Sequence, residues 1–553
     1  MNLNNRFILA IVVLFFSILI SLPIIYPYLN NGYFPTHDGE WAVIRLADMF
    51  RSLRDLQFPV RYSGALNFGY GYPLFNFAYP YPYYSGILLY FAFGSFVTAI
   101  KSLFVLSVVF SSFFMFYVSY ELWKNKTAAF ASAAIYTYLP YRILDLFVRG
   151  SIGESIALAL FPLIFFLALR LFENPFSRII VISLSLSTAY LIGTHNIMTV
   201  LFMPWFAVFI LGKIFIEKRF DVLQTFLLSL FLGLGASAFF WIPAIFEKSN
   251  IFLSIIPIAD RNLYFVNLEK LFIPSWGYAP PTEEGGFSYN IGIGQVLIII
   301  YLLVSIFVLF LKKTFTETPK ALLIFFLLII YLVLFVMMFP FTAIIWTNTP
   351  LISEINYPWT ILSQLGFIAA LCIGYLFTRG KIFKILVAVA VVIAVVEVVP
   401  NSKPSEYVNR GDNYYLTNEG TTTSSDELMP LWVKEKPIER FKDKVEVIEG
   451  SATISDLKYN SKSLSFSYSA NSDTTFRVNT IYYPGWDVYI DYEKAEIDYS
   501  NNLGVMDIKA NQYRKKVTMN FNETPIRTVA NIVSILSLLT LAFIALRSVL
   551  SFR

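Results

Sequence analysis

Apolar stretches of about 20 residues recur along most of the chain, separated by short segments that contain Pro, Gly or charged residues. A helix of roughly 20 apolar residues crosses a bilayer core of ~30 Å. The pattern therefore predicts about twelve transmembrane helices, near residues 7–27, 101–122, 127–143, 153–172, 179–194, 197–213, 222–243, 290–311, 320–339, 357–378, 382–400 and 528–549.

Basic residues in the short loops predict the orientation of these helices, because Lys and Arg are retained on the cytoplasmic side. With Arg6 inside, the loops that carry Lys124 and Arg170 also fall inside. This assignment predicts that both termini are cytoplasmic. It holds only if residues 85–100, which are apolar enough to cross, form a re-entrant segment or one part of a broken helix.

Two polar segments interrupt residues 1–400, which we expect to form one transmembrane domain. The first is a large outer loop, residues 28–84, and the second is an outer loop over residues 244–289. Within the first loop, residues 40–57 place charged side chains on one helical face and apolar side chains on the other. Such an amphipathic helix is expected to lie flat in the membrane interface.

Residues 401–527 follow a different pattern. Apolar and polar residues alternate with period two over residues 463–468 and 486–491, which is typical of half-buried β-strands. We expect an extracytoplasmic β-sandwich domain here, followed by a C-terminal transmembrane helix within residues 528–553. The predicted fold class is a polytopic α-helical membrane protein with a C-terminal β-sandwich.

The composition excludes several other classes of protein. Of 553 residues, 57% are hydrophobic and 14% are charged, against about 25% charged in soluble proteins. A single Cys excludes a disulfide scaffold, and a net charge of +5 gives no indication of nucleic-acid binding. No nucleotide-binding motif is present, so nucleotides are not expected substrates and ATP-driven transport is not expected of this chain. The hydrophobic composition makes the lipid bilayer the expected surroundings, and nucleic acid is not an expected partner.

The clearest polar cluster follows the first apolar stretch and contains His37, Asp38 and Glu40. A carboxylate at the outer mouth of a helix bundle can accept a proton from an alcohol nucleophile or hold a divalent cation. If a metal is needed, Asp38 and Glu40 are the candidate ligands, and Mg²⁺ or Mn²⁺ is the candidate ion. The alternative is that Asp38 only caps the helix that follows.

A second cluster lies between two later spans and contains Arg142, Asp145, Arg149 and Glu154. An arginine there can bind an anionic phosphate group, with the carboxylates holding it in place. The alternative is a set of internal ion pairs. The third candidate is His195 at an outer helix end, where a lone histidine is more often structural.

These residues, together with several short motifs, resemble a family of multi-pass bacterial and archaeal proteins described as "6-pyruvoyl-tetrahydropterin synthase-related domain, membrane protein". The matching motifs span nearly the whole chain, and their order is more specific than any one of them. They are His37-Asp38-Gly39-Glu40, Phe58-Pro59-Val60-Arg61, Gly69-Tyr70-Gly71-Tyr72-Pro73, Arg149-Gly150, Thr194-His195-Asn196, Trp241-Ile242-Pro243, Tyr482-Tyr483-Pro484-Gly485-Trp486 and Thr524-Pro525-Ile526-Arg527.

The architecture further resembles the C-type glycosyltransferases, which have the GT-C fold. The resemblance implies a polyprenyl-phosphate-sugar donor and an acidic residue that acts on the acceptor, matched best by Asp38 and then by Glu40. We expect the donor phosphate to meet Arg149, Arg142 and His195. The supporting residues are expected to be His37, Asp145, Glu154 and Arg61.

One motif departs from the family pattern, because Pro358-Trp359 is followed by Thr360 where the family often has Arg. A role for that arginine is lost or is taken by another residue.

The expected function is an inverting hexosyl- or pentosyltransferase of the plasma membrane, with its site on the outer face. Its acceptor would be a glycan, lipid or protein of the cell envelope. Two alternatives stay open: a transporter or flippase of lipid-linked sugars, and an envelope assembly protein whose β-domain binds partners.

Overall fold

The computed structural model describes residues 3–273, 275–280, 283, 286–312, 319–420, 422–423 and 425–550. Parts of three predicted segments lie outside the described residues: positions in the loop 244–289, residues 421 and 424 of the segment 401–527, and residues 551–553 at the end of the C-terminal helix.

Helices make up most of the chain before residue 402, as the apolar pattern predicts. They are α1 (Leu3–Ile25), α2 (Gly39–Arg54), α3 (Leu74–Phe77), α4 (Tyr81–Phe93), α5 (Phe96–Trp123), α6 (Lys126–Thr137), α7 (Pro140–Leu144), α8 (Ile152–Glu173), α9 (Arg178–Thr194), α10 (Asn196–Glu217), α11 (Asp221–Ala236), α12 (Ala238–Phe246), α13 (Leu268–Phe272), α14 (Ile293–Leu311), α15 (Pro319–Met337), α16 (Ala343–Asn348), α17 (Leu362–Thr378) and α18 (Lys381–Val398). Two more follow: α19 (Asp412–Thr417) and α20 (Pro525–Leu550).

Nine helices within the described residues are long and apolar enough to cross a membrane, which makes this a multi-pass membrane protein. They are Phe7–Leu29, Phe96–Trp123, Ile152–Glu173, Asn196–Glu217, Ile293–Leu311, Lys320–Met337, Pro358–Thr378, Lys381–Asn401 and Pro525–Arg547. Each coincides with one of the twelve predicted spans.

The other three predicted spans are shorter or bent. Helix α6 has 12 residues and α9 has 17, and the α11–α12 pair is bent by 67°. Helix α6 stops early because Pro140 disfavours helical backbone at the residue before it. The apolar stretch 85–100 is divided between α4, which has 13 residues and ends at Phe93, and the beginning of α5.

Helix α9 returns the chain to the end of the bundle from which α8 starts. Glu154, near the start of α8, lies 3.7 Å from His195, which joins α9 to α10. The two residues are therefore close together although nearly two helices separate them in the sequence.

The C-terminal region contains two antiparallel sheets. Its strands are β1 (Val445–Glu449), β2 (Ala452–Tyr459), β3 (Ser463–Ala470), β4 (Thr474–Ile481), β5 (Trp486–Ile490), β6 (Glu493–Ala495), β7 (Val505–Ala510) and β8 (Tyr513–Phe521). One sheet has the order β1-β4-β7 and the other β2-β3-β8-β5-β6. Every second residue of β3 is buried, as the alternation predicts, and the ring of Phe466 in β3 lies 5.2 Å from Phe476 in β4 of the other sheet.

Two ion pairs lie where this region meets the rest of the chain. Arg527, at the start of α20, donates to Glu247 after α12 over 2.8 Å, and Arg61 donates to Glu523 over 2.9 Å. The Thr524 hydroxyl also donates to Glu247, over 2.7 Å. Several motif residues of the family resemblance therefore meet at a structural junction.

Candidate functional site

The site is built on the segment that follows the end of α6 and begins at Pro140. After α7, a single π-helical turn runs from Asp145 to Arg149 and is followed by Gly150, which has a φ of +67°. Single π-helical turns occur frequently at functional sites. The turn places Arg149 just before the start of α8.

Main-chain hydrogen bonds hold this turn against the segment before α2. The amide of His37 donates to the carbonyl of Val148 over 2.9 Å, and the amide of Asp38 donates to the carbonyl of Arg149 over 2.7 Å. A Cβ atom on Gly150 would lie 2.1 Å from the Thr36 hydroxyl, so only glycine allows this approach. The structure thus brings together two of the predicted clusters.

A cavity of about 480 Å³ opens where these two segments meet. Its lining comes from α2, the π-helical turn, the start of α8, the α9–α10 joint and the segments near residues 264, 357 and 422. The predicted site residues that line it are His37, Asp38, Arg149, Glu154 and His195.

The sequence left open that Asp38 only caps α2, but its carboxylate forms no capping hydrogen bond in the structure. The amide of Gly39 donates instead to the Thr36 hydroxyl, over 2.9 Å. The carbonyl of Asp38 accepts from the amide of Ala42 over 3.0 Å. Among the residues that the structure describes, no donor forms a hydrogen bond with the Asp38 carboxylate, which is left available to a ligand.

The electrostatic surroundings of Asp38 suit a group that accepts a proton. Burial raises its pKa above the usual range of an aspartate, and the negative charge of Glu154 acts in the same direction. The positive charges of Arg149 and Arg45, together with His37, partly oppose this effect. A carboxylate with a raised pKa is a better base than one exposed to solvent.

The Arg149 guanidinium lies in the cavity wall between a carboxylate and an aromatic ring. One of its amino groups donates to Glu154, and the guanidinium lies 5.0 Å from the ring centre of Trp359. The Tyr141 hydroxyl donates to the same oxygen of Glu154. Since a guanidinium has five donors, Arg149 keeps others for an anionic ligand.

His195 is held by a backbone contact that determines its tautomer. The amide of Met198 donates to Nδ1 over 3.2 Å, so a neutral imidazole carries its proton on Nε2, which faces Glu154. Burial lowers the pKa of His195 to about 4, with Arg149 acting in the same direction and Glu154 opposing it. His195 is therefore a neutral donor at the cavity wall at physiological pH.

Four predicted site residues lie outside the cavity lining: Glu40, Arg142, Arg61 and Asp145. Glu40 faces the opposite side of α2 and pairs with Arg410 over 2.7 Å, because α2 turns its side chain away from Asp38. Arg142 is fully buried and donates to Ser111 over 2.6 Å, since α7 directs it between helices. Arg61 is engaged at the junction with Glu523.

The two remaining supporting residues differ in position. His37 lines the cavity, and its Nε2 lies 2.8 Å from the carbonyl oxygen of Tyr278. Asp145 is fully buried and accepts a hydrogen bond from Ser155, so it supports the turn from behind.

The structure adds residues to the site that the sequence motifs did not single out. Arg45 lines the cavity and donates to the Thr422 hydroxyl over 3.1 Å, and Tyr79, Trp359 and Glu427 also line it. Arg45 could have been found from its place on the polar face of the amphipathic helix. No sequence pattern singled out Thr422 and Glu427, because they lie in a loop that is far from the other site residues in the sequence.

An apolar cavity of about 580 Å³ borders the first one. Its apolar lining comes mainly from α7 and α18, and α14 and α17 add one apolar residue each. Phe287 lines both cavities, and Tyr141, which bonds Glu154, lines the apolar one. The polar site is thus next to a second cavity whose wall is mostly apolar.

The described residues do not fit a metal ion of the kind considered from the sequence. Among them, no group of three or more His, Cys, Asp or Glu side chains could hold one. Glu40, the second candidate ligand, faces away from Asp38 toward Arg410. No chemical step is therefore assigned to a divalent cation.

No protein-family model and no curated protein matches the chain. Among solved structures, it is similar to the arabinofuranosyltransferase AftD from Mycobacteria, with 14% identity, a TM-score of 0.44 and coverage of 71% of this chain and 27% of that one. It is also similar to the oligosaccharyltransferase of Archaeoglobus fulgidus, with 14% identity, a TM-score of 0.42 and coverage of 76% and 60%. The chain thus spans about a quarter and three fifths of the lengths of these neighbours.

Proposed function

We propose that the protein is an integral-membrane glycosyltransferase of the GT-C type, which transfers a sugar from a polyprenyl-phosphate donor to an acceptor hydroxyl. The proposal rests on the observation that the Asp38 carboxylate, which has no hydrogen-bond partner among the described residues, and the Arg149 guanidinium line the same cavity. The resemblance of the architecture to the C-type glycosyltransferases, with a short first helix, a long first outer loop and an interfacial helix, supports the same class of enzyme.

In the proposed reaction, Asp38 accepts the proton of the acceptor hydroxyl as its oxygen attacks the anomeric carbon of the donor sugar. The bond from that carbon to the phosphate oxygen breaks, and its electron pair leaves with the polyprenyl phosphate. A single displacement of this kind inverts the anomeric configuration. Asp38 would stay the base because its carboxylate has no competing hydrogen-bond partner among the described residues.

Negative charge increases on the donor phosphate as the sugar leaves, so a fixed cation next to it lowers the barrier. Arg149 is the proposed cation, because Glu154 and the Trp359 ring hold its guanidinium in place. His195 would donate from Nε2, and Arg45 supplies a further positive charge at the cavity wall. Arg142, which the sequence suggested for this role, is buried outside the cavity.

The apolar cavity supports a donor with a long hydrocarbon chain. Its apolar lining, mainly from α7 and α18, suits isoprenyl groups, while its border at Tyr141 and Phe287 leads to the polar site. A lipid in this groove would place its phosphate near Arg149.

We place the site and the β-sheet region on the outer face of the plasma membrane, with both termini inside. The distribution of Lys and Arg supports this orientation. If α6 with α7, α9, and the α11–α12 pair each complete a crossing, the nine long helices become twelve crossings. An even number leaves the termini on the same side.

The proposal can be tested with purified protein in nanodiscs and synthetic radiolabelled polyprenyl-phosphate pentoses and hexoses. The expected result is release of polyprenyl phosphate with transfer of the labelled sugar to an envelope extract. Lipids from cells that lack the protein should accumulate the same polyprenyl-phosphate sugar. Movement of the intact donor across the bilayer without cleavage would contradict the proposal and favour a flippase.

A further inference from the structure

A cavity of about 630 Å³ lies between the segment after α1, the beginning of α5 and the residues before α19. Asn30 and Gly32 contribute from the first of these, Lys101 from α5 and Arg410 from the last. The cavity shares no lining residue with the polar site at Asp38 or with the apolar cavity beside it. It is therefore a separate place at which a ligand could bind.

Lys101 is a buried cation without a carboxylate partner. Its side chain is 9% exposed, and its ammonium group donates to the main-chain carbonyls of Asn30 and of Gly32, the latter over 2.8 Å. Among the residues that the structure describes, no Asp or Glu forms an ion pair with it. The two carbonyls accept hydrogen bonds but carry no formal charge, and the third N–H of the ammonium group is left over. Since buried charges in proteins are normally paired, Lys101 points to an anionic ligand.

The carboxylates beside this cavity are engaged with other groups. Glu40 pairs with Arg410 over 2.7 Å, and Asp412 accepts from the amide of Phe96 over 3.0 Å. No acidic side chain of the described residues is part of the lining. One amino group of Arg410 makes the bonds to Glu40 and Tyr414, so the other nitrogens of this half-buried guanidinium can reach a ligand. The cavity therefore keeps a net positive charge.

Exposed apolar side chains continue from this cavity along the outside of the helix bundle. Leu29, Phe93 and Leu106 line the cavity and are exposed, and Phe110 is exposed one turn further along α5. An exposed apolar surface of this kind marks a contact with another apolar surface or with a membrane. On a helix that spans a bilayer, the neighbouring apolar groups are lipid acyl chains.

The length of α5 places Lys101 at the level of the lipid headgroups. The helix has 28 residues. That number of residues corresponds to roughly 42 Å, against a hydrocarbon core of ~30 Å. With its last turn at one edge of the core, the helix would extend about 12 Å beyond the other edge. Lys101 is five residues from the first residue of α5, or roughly 8 Å along the axis, and so lies within this extension.

We propose that this cavity binds one anionic glycerophospholipid of the surrounding bilayer. The phosphate accepts from Lys101, and the acyl chains lie along the exposed apolar side chains of α4 and α5. A phosphodiester supplies the single negative charge that compensates Lys101. The cationic headgroup of a zwitterionic lipid would be repelled by Lys101 and Arg410, so anionic lipids are preferred. The site uses no residue of the cavity at Asp38 and does not depend on the transferase reaction.

The test is native mass spectrometry of the purified full-length protein, titrated with phosphatidylglycerol or with phosphatidylcholine of the same acyl chains. The first phosphatidylglycerol should bind roughly five-fold more tightly than phosphatidylcholine, because a basic residue near an anionic lipid contributes an effect of this size. Glycerol 3-phosphate, which has the phosphate but no acyl chains, should not bind at the same concentrations. Equal affinities for the two lipids would overturn the proposal. Binding of glycerol 3-phosphate as tight as that of phosphatidylglycerol would overturn it too, since the ligand would then be a soluble anion.

Two lysine variants test the role of the buried charge. Lys101→Met should remove the preference for phosphatidylglycerol over phosphatidylcholine. Lys442→Met changes the net charge of the protein by the same amount at an exposed position outside the cavity, and should retain the preference. A full preference in a folded Lys101→Met protein would contradict the proposal.

A second pair of variants leaves Lys101 in place and keeps the test decisive if Lys101→Met does not fold. Thr98 is exposed, lines the cavity and lies three residues after Ser95, the N-cap of α5. Thr98→Glu completes a capping box with Ser95, so the variant is compatible with the helix. Its negative charge should weaken the binding of phosphatidylglycerol severalfold relative to Thr98→Gln, which has the same size. If Lys101 only fastens the segment after α1, the two variants will bind phosphatidylglycerol equally, and that result would overturn the proposal.

Discussion

The amide of Asp38 donates a hydrogen bond to the carbonyl of Arg149 over 2.7 Å, which joins the two segments of the candidate site through their main chains. Neither side chain takes part in this contact. A substitution of either side chain should therefore leave the two segments together, so that the proposed base and the proposed cation can be tested separately.

Asp38→Asn should lower turnover by roughly 10²- to 10⁴-fold, because the side chain keeps its size but no longer accepts a proton. Binding of the polyprenyl-phosphate donor should change little. Both quantities can be measured on the purified variant, by sugar transfer and by donor titration.

Glu40→Gln is the matched control for Asp38→Asn. Glu40 pairs with Arg410 at the surface and does not line the cavity, so its neutralisation should have a much smaller effect on turnover. Turnover near the wild-type level in Asp38→Asn would show that Asp38 is not the base.

The activity should rise with pH as Asp38 loses its proton. Burial raises the pKa of Asp38, and Arg149, Arg45 and His37 lower it while Glu154 raises it. Since Arg45 favours the charged form, Arg45→Gln should raise this pKa and move the rising limb of the pH profile to higher pH. The measurement is turnover against pH for both proteins, and a shift to lower pH would contradict the assignment.

Arg149→Lys should lower the turnover number more than it raises the apparent donor KM. Lysine keeps the charge but loses the planar set of donors, and the phosphate gains charge only as the sugar leaves. Steady-state kinetics with a single synthetic donor would measure both constants.

If Arg149 only stabilises the fold through its ion pair with Glu154, Arg149→Lys should give a different result. The variant would then show lower expression or a lower melting temperature, with normal kinetics in the protein that folds. A well-folded and fully active variant would exclude Arg149 from the reaction.

Because of Lys444, the stability of the protein should increase as the pH rises through the alkaline range. Burial lowers its pKa to about 7, with a contribution from Arg440, whereas an unfolded lysine has a pKa of about 10.4. Between these values the folded state binds fewer protons than the unfolded state, so stability rises with pH across this window. Melting temperatures at pH 7 and 9.5 should show a rise that Lys444→Met reduces and Lys442→Met, at an exposed position, retains.

The membrane orientation can be tested by cysteine labelling in a Cys372→Ser background. Ser472 is exposed in the β-sheet region, so Ser472→Cys should react with an impermeant maleimide in intact cells. Lys381→Cys, in a loop predicted to be cytoplasmic, should react only after permeabilisation. The reverse pattern would place the candidate site on the cytoplasmic side.

Patterns of short range were sufficient to predict much of the fold. Nine apolar stretches became helices of spanning length within the described residues, and the period of two at Ser463–Ala470 became a strand with alternate residues buried. Both periods follow from the geometry of a single helix or strand, so they can be found without knowledge of the partner segments. Helix α6 differed from the prediction because Pro140 ends it early, and the run over α11 and α12 differed because it is bent by 67°.

The sequence by itself identified Asp38, Arg149 and His195 as candidates, because charged and ionisable residues are scarce in this chain. Only the tertiary structure decided that they line one cavity while Glu40 faces Arg410 and Arg142 is buried. The partners come from segments far apart in the chain, such as Thr422 against Arg45. The direction of a side chain at such a contact depends on which segment packs against its helix. The periodicity of one segment does not predict this packing, because the energy of a contact depends on the residues of both segments.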